Sequence, residues 1–577
     1  MRRRTLLPLS SIVIFLALLI ASCTTTRNLV LSGGEQHPTP APHVDEPGPH
    51  VLIFGFDGVG YNQLNEAIAS GHAPDLAALL GKPERGGVYG HAYSAPDAET
   101  IFPAITAAAW SVIFTGEPSA YTSIPGNEWF SREKMQFYAP IPVSVPETSD
   151  TLKMLGDDLI GQQLTAPTLY EQAGVKSGVS MNMVYRGADT FTTVPPTTFV
   201  AVVADYLVGA TGGPSGNRTV YAKFDEDSIT KLSAAFAQGG IPRLQTVYFP
   251  GIDLYTHVAP GDPLKQQVAY LEEITDPLVG KVVEEYRSRG LMSNTFVVIL
   301  ADHGHIPVLN DPIHALAVDP DTGPAAVLKA AGFRPRPFVL NPSSAQQDYQ
   351  ATLAYEDSIA YVYLADRSTC PNISNRCDWT KPPRFEEDVL PIAKAFYEAN
   401  RTGAGAPRLK GSLELIFARK PAKPGTQTNE YEVFDGKRLV SIEDYLEDHP
   451  HPGLLDLDRR MRWLSMGPHG TRAGDVLLLA RTGLTIPIEQ RFYFAHLFHS
   501  VHGSASIQDG HIPLVLSHEG CRGERLKEAM EHTTGSRPTT LHVTPMVLNL
   551  LSHGDKYCNG KNSAPAVTAK SAAAKTQ

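Results

Sequence analysis

The chain has 577 residues, 42% of them hydrophobic, which is ample material for a large core. A net charge of −11, with no basic stripe interleaved with aromatics, excludes a nucleic-acid interface built on phosphate neutralisation. The length allows several domains, or one large α/β enzyme carrying insertions.

Taken in chain order, the first element is a leader. Arg2, Arg3 and Arg4 precede an apolar stretch over 12–21, too short to span a bilayer and of the kind found in a signal-peptide core. It ends in Ile20-Ala21-Ser22-Cys23, which resembles the cleavage box of bacterial lipoproteins. That resemblance implies removal of residues 1–22, lipidation of Cys23 and a membrane held through that lipid. Thr24, which is not Asp, implies sorting to the outer membrane of a Gram-negative cell, facing periplasm or exterior. Residues 23–49, rich in Thr, Pro, Gly and His, read as a flexible tether.

The folded part opens at 51–56, a continuous apolar run of the kind a buried parallel strand shows. It ends at Asp57-Gly58, and a helix is predicted over 61–70. The pattern recurs: a strand at 244–249 leads into Asp253, a long amphipathic helix is predicted over 266–289, and a strand at 295–300 leads into Asp302-His303. Later strands are predicted at 475–480 and 512–517. Strands alternating with helices predict an α/β fold with a mostly parallel central sheet and helices on both faces. Open sheets of this type bind ligands at the carboxyl ends of their strands. We expect a catalytic domain made of 50–308 and 466–560, a cap insertion over 309–465, and a disordered tail over 561–577. Four cysteines remain in an exported chain, and Cys370 with Cys377 is the local pair, leaving Cys521 with Cys558. Other pairings stay open; no Cys-x-x-Cys spacing favours a thiolate metal site.

Asp57, Asp253-x-x-x-His257, Asp302-His303 and His502 all stand at or near predicted strand ends. Mixed carboxylate and imidazole donors suit zinc, with manganese as the alternative, and six of them suffice for two ions. Two ions of this kind serve phosphoryl transfer. Thr106 begins an Ala-rich helix that runs to Thr115-Gly116, where free backbone N–H groups favour an anion and a hydroxyl can become a nucleophile. The bland alternative is that Thr106 merely caps that helix.

The whole set resembles the nucleotide pyrophosphatase/phosphodiesterase branch of the alkaline phosphatase superfamily. The matching segments are Phe56-Asp57-Gly58, Thr106-x-x-x-Trp110-Ser111, Gly126-Asn127-Glu128, Asp253-x-x-x-His257, Asp302-His303-Gly304 and His502-Gly503, in the family's order. The resemblance implies one metal held by Asp57, Asp302, His303 and Thr106, and another held by Asp253, His257 and His502. It also implies hydrolysis of phosphate esters through a phospho-threonine at Thr106, with Asn127 and a backbone N–H near Thr106 holding the phosphoryl oxygens. In relatives that take dianionic monoesters, a Lys-x-Arg pair holds the extra charge. Here Arg186 is a candidate substrate contact, but Val184 stands in place of the Lys, which tilts the expectation to phosphodiesters or nucleotide-like substrates. The alternatives are a phosphate monoesterase, a phosphonate hydrolase, or a non-catalytic binding lipoprotein of the cell envelope. His469, His496 and His499 rival His502 for the last ligand position. No Cys/Ser-x-Pro-x-Arg segment stands at Thr106, which disfavours a sulfatase. Nothing in the sequence implies a protein partner.

Overall fold

Seven strands make the first sheet: β1 His50–Phe56, β2 Ala92–Ser94, β3 Ser177–Ser180, β4 Thr190–Thr192, β5 Leu244–Phe249, β6 Thr295–Ala301 and β7 Leu514–Ser517. Their spatial order is β2-β7-β6-β1-β5-β3-β4. β6, β1, β5, β3 and β4 run parallel, while β7 is antiparallel to both β6 and β2. This is the α/β fold with a mostly parallel sheet that the alternating pattern predicts. The computed structural model describes residues 48–558, except 214–215, 318, 320, 373–374 and 422–429. The leader, Cys23, nearly all of the tether and the 561–577 tail lie outside the described residues.

β1, β5 and β6 are buried along their length from Val51 onward, which is why their sequences are apolar without alternation. Gly55 in β1 has a packing reason: a Cβ there would lie 2.6 Å from the Trp110 ring. Trp110 belongs to helix α2, Thr106–Ile113, in which all eight residues are buried. Helix α1 is Tyr61–Ser70, as predicted, and helix α3 is Gly251–Val258. The long helix predicted over 266–289 is divided, Pro263–Tyr270 and Asp276–Ser288 flanking a π-helical turn at Leu271–Thr275.

The second sheet has six antiparallel strands, in the order Ala351–Glu356, Ile359–Leu364, Val476–Ala480, Leu413–Ala418, Glu432–Phe434 and Leu439–Val440. Here the sequence does alternate. Ile359, Tyr361 and Tyr363 enter a core with Phe130 and Trp379, whereas Ala360, Val362 and Leu364 join the main core. One expectation needs correction: 475–480 does not return to the first sheet. It pairs with 359–364 and 413–418, so the insertion recruits a strand from beyond its expected boundary at 465. An apolar run of five residues carries no mark of which sheet will take it.

Both expected disulfides are present. Cys370 pairs with Cys377, and Cys521 pairs with Cys558 at the end of the C-terminal helix Val543–Cys558, with Cα–Cα distances of 4.7 and 4.9 Å.

Candidate metal centre and nucleophile

The candidate site gathers at the carboxyl ends of β1, β5 and β6. Asp57 directly follows β1 and Asp302 directly follows β6, while α3 carries Asp253 and His257 one helical turn apart on one face. His502 arrives on the chain just before β7. The side chains fall into overlapping groups: Asp57 with Asp302 and His303, Asp253 with His257 and His502, and, bridging these, Asp253 with His303 and His305. The His303 and His502 rings stack at 3.8 Å, so the groups are neighbours.

In the first group each carboxylate has one oxygen tied down and one left over. Asp302 Oδ1 accepts the Gly58 and His303 backbone N–H groups, both at 3.1 Å, and Asp57 Oδ2 accepts the Tyr248 hydroxyl. The other oxygens, Asp57 Oδ1 and Asp302 Oδ2, are buried with no hydrogen-bond donor. They lie 3.6 and 3.2 Å from the same atom, His303 Nε2. Thr106 Oγ1 approaches that atom at 3.1 Å. Burial, reinforced by the charges of Asp302 and Asp253, pushes the Asp57 carboxyl well above the ordinary carboxylate range. Burial also pushes Asp302 up to about 6. Unpaired carboxylate oxygens aimed at one imidazole nitrogen are costly unless a cation satisfies them, so these residues fit a divalent ion.

The histidines are oriented for the same purpose. Nδ1 of His303, His257 and His502 faces a backbone carbonyl, respectively Gly304 at 3.1 Å, Ser500 at 2.8 Å and Ala104 at 3.3 Å. A carbonyl only accepts, so Nδ1 carries a proton in each ring, and Nε2 is the nitrogen that faces the group. His305 differs. Its Nε2 meets Asp253 Oδ1 at 2.7 Å and its Nδ1 meets the Ser500 hydroxyl at 3.1 Å, so it orients Asp253 with both nitrogens engaged. Burial alone would raise the Asp253 pKa, but His257 and His305 outweigh it and hold this carboxyl well below its ordinary range.

Thr106 is not the cap of α2. Ile105 occupies that position, and Thr106 is the first helical residue, its hydroxyl turned to His303. The helix ends at Ile113, short of the expected Thr115, with Gly116 at φ +74° just beyond. Asn127 Oδ1 accepts the Ala107 N–H at 2.9 Å, which leaves the Asn127 amide NH2 as the donor. The Ala107 N–H is therefore taken by Asn127.

Arg186 is a correction. Its five N–H donors are all engaged within its own neighbourhood, on both Glu171 carboxylate oxygens and the carbonyls of Gly161, Leu164 and Ala166, at 2.6–3.0 Å. It ties a loop and has no donor left for a phosphate. Val184, in the Lys position, is fully buried. His469, His496 and His499 belong to none of these groups among the described residues; the His469 backbone N–H bonds to Ala120, and His499 lines a cavity of about 260 Å³ beside Val258.

The sequence reading missed three further residues. Tyr248 gave no signal beyond its strand. Glu356 and Asp357 come from the second sheet: Glu356 accepts the Asn127 and Glu128 N–H groups at 2.6 and 2.8 Å, and Asp357 Oδ2 lies 3.5 Å from His502 Nε2.

A buried hydroxyl beside Asp/His groups that could hold divalent ions, at the carboxyl edge of an α/β sheet, is the arrangement of a hydrolase of phosphate esters. A family model described as type I phosphodiesterase / nucleotide pyrophosphatase matches residues 51–397, more than half of the chain, and the chain belongs to that family. Comparison with curated proteins gives no match. Solved structures similar to this chain include human ectonucleotide pyrophosphatase/phosphodiesterase 5, at 13% identity, 87% coverage of this chain, 95% of that one and a TM-score of 0.46. Phosphonoacetate hydrolase from Sinorhizobium meliloti matches at 15% identity, 89% and 98% coverage and a TM-score of 0.42. The alkaline phosphatase PafA matches at 15% identity, 88% and 97% coverage and a TM-score of 0.49.

Proposed function

We propose that the protein hydrolyses phosphodiesters, or nucleotide-like esters, through a covalent phospho-threonine at Thr106. The observation that carries this reading is the meeting of Thr106 Oγ1 with the donor-free oxygens of Asp57 and Asp302 at one imidazole nitrogen. Asp57, Asp302, His303 and Thr106 would hold one ion, and Asp253, His257 and His502 the other, with zinc favoured over manganese by the imidazole share of the donors. Bound there, divalent ions supply Lewis acidity for a hydroxyl nucleophile and for oxyanion charge.

The chain's own residues account for the rest. The rigid, fully buried α2 fixes Thr106, so little reorganisation is needed when its oxygen attacks phosphorus. The Thr106 hydroxyl gives up its proton to solvent, its O–P bond forms as the ester P–O bond breaks, and the departing alkoxide takes up a proton from water. The Asn127 NH2, locked by its carbonyl on Ala107, donates to a phosphoryl oxygen as charge develops. Water then cleaves the phospho-threonine and releases a phosphate monoester. With Val184 apolar and Arg186 engaged elsewhere, neither supplies the cation a dianionic monoester needs, which favours monoanionic diesters. Location belongs to the same proposal: an envelope lipoprotein anchored through Cys23, tested by labelling with a radioactive fatty acid and by loss of label in Cys23→Ala.

The test is kcat/KM of the zinc-loaded protein on a nitrophenyl phosphodiester and on a nitrophenyl monoester, with Thr106→Ala as background. Diester preference that vanishes in Thr106→Ala is expected. Monoester preference, or an active Thr106→Ala, would overturn the reading.

A further inference from the structure

The hairpin Ala351–Glu356 and Ile359–Leu364 turns through only two residues, Asp357 and Ser358. Hairpin tips ordinarily lie in solvent, where polar turn residues cost nothing. This one is buried, with Glu356, Asp357 and Ser358 at 0, 3 and 0% exposure. It is pressed against the chain that carries His502: Ser358 N–H donates to the His502 carbonyl at 3.1 Å, and a Cβ on Gly503 would lie 2.5 Å from the Glu356 carbonyl. Asp357 takes the left-handed conformation at φ +55°, which Asp and Asn tolerate better than most residues. A turn role alone would be met by Asn or Gly. It does not explain a carboxylate carried into the interior and placed 3.5 Å from His502 Nε2, the atom turned toward the second group.

We propose that Asp357 is a fourth protein donor to the ion held by Asp253, His257 and His502, delivered by the second sheet. This inference rests on the two-ion reading above. Its consequence is a matter of charge. Asp253 with two neutral imidazoles leaves a divalent ion with one net positive charge, and Asp357 cancels it. Removing that charge weakens attraction of a dianion about twice as much as that of a monoanion, by Coulomb's law. Asp357 is thus a specificity residue for diesters, acting in the same direction as the missing Lys at Val184. Glu356 supports it from the neighbouring position by fixing the backbone of Asn127.

Asp357→Asn keeps shape and the left-handed backbone and removes the charge; Asp357→Gly keeps only the backbone freedom. Zinc is titrated into the metal-free full-length chain against a chromogenic chelator, with circular dichroism to verify folding. In both variants one of the two zinc sites should lose affinity by about tenfold or more, at least the cost of losing an outer-shell partner of a metal ligand. In Asp357→Asn the diester-to-monoester ratio of kcat/KM should also fall severalfold. If wild type binds two zinc ions and a folded Asp357→Asn binds both within twofold of it, this inference alone falls. If wild type binds fewer than two, the two-ion reading falls with it.

Discussion

Tyr248→Phe isolates one hydrogen bond of the candidate site. Tyr248 is buried in β5, its hydroxyl donates to Asp57 Oδ2, and its ring packs edge-on to Trp110 at 5.1 Å. Phenylalanine keeps the ring contact and removes only the donor. A hydrogen bond to a charged acceptor contributes about 1.5–3 kcal/mol, against about 0.5–1.5 for a neutral one. Without a cation, burial, reinforced by the charges of Asp302 and Asp253, pushes the Asp57 carboxyl well above its ordinary range and so favours its neutral form, the weaker acceptor for the phenol. A bound cation would favour the charged carboxylate, the stronger acceptor. The variant therefore loses the difference, roughly 1–1.5 kcal/mol, which is roughly 5–15-fold in affinity for the ion at Asp57. Competition with a chelator measures it directly. Zinc affinity within twofold of wild type in Tyr248→Phe would refute the argument that this hydroxyl holds Asp57 for a cation.

Three further outcomes are expected. His502→Ala should lose about one of two bound ions, whereas His469→Ala should lose none, measured by metal analysis of the purified chains; the reverse pattern would move the ligand. Arg186→Ala should lower the thermal midpoint, because at least four carbonyl or carboxylate partners lose a donor, while the diester-to-monoester ratio of kcat/KM stays unchanged; a changed ratio would restore Arg186 to the substrate. Burial pushes Glu128 up to about 7, so the folded chain holds this proton more tightly than the unfolded one does. Its contribution to stability is complete below the unfolded value, near 4.5, and is lost as pH rises through about 7. Glu128→Gln should flatten the decline in thermal midpoint over that window, and an unchanged slope would place the effect elsewhere.

The parts of this molecule that could be read from sequence share one property: each is contained in a local segment. β1 announces itself because burial on both sides forces a continuous apolar run, and the acid that ends it is the next residue, Asp57. Asp253 and His257 share a helix face by spacing alone, and Asp302-His303 is a dipeptide at a strand end. The metal-ligand candidates were therefore legible before any contact between segments was known. The lengths of helices were less so: α2 stops two residues early, because Gly116 terminates the turn without belonging to the helix. The Arg186 reading failed for a different reason. A guanidinium near a candidate site looks the same in sequence whether its donors face a phosphate or the carbonyls of its own loop, and only the loop's path decides.

What escaped the sequence was supplied across the boundary between the two sheets. Glu356 and Asp357 lie more than a hundred residues from Asn127 and from His502, inside a stretch that read only as a cap. A strand ending in Glu-Asp-Ser reads as an ordinary polar turn, and nothing local marks that the turn is driven into the interior. Its burial follows from the second sheet's own pattern: the face with Ala360, Val362 and Leu364 must pack on the main core, and that packing carries the hairpin tip to Gly126–Glu128 and His502–Gly503. A Cβ on Gly126 would meet the Glu356 carboxylate at 2.4 Å, so the glycine beside Asn127 makes room for the insertion. That glycine and the hairpin tip fit one another, which makes the second sheet part of the site's construction. The charge on Asp357 then acts directly on which phosphate ester the first sheet's residues receive.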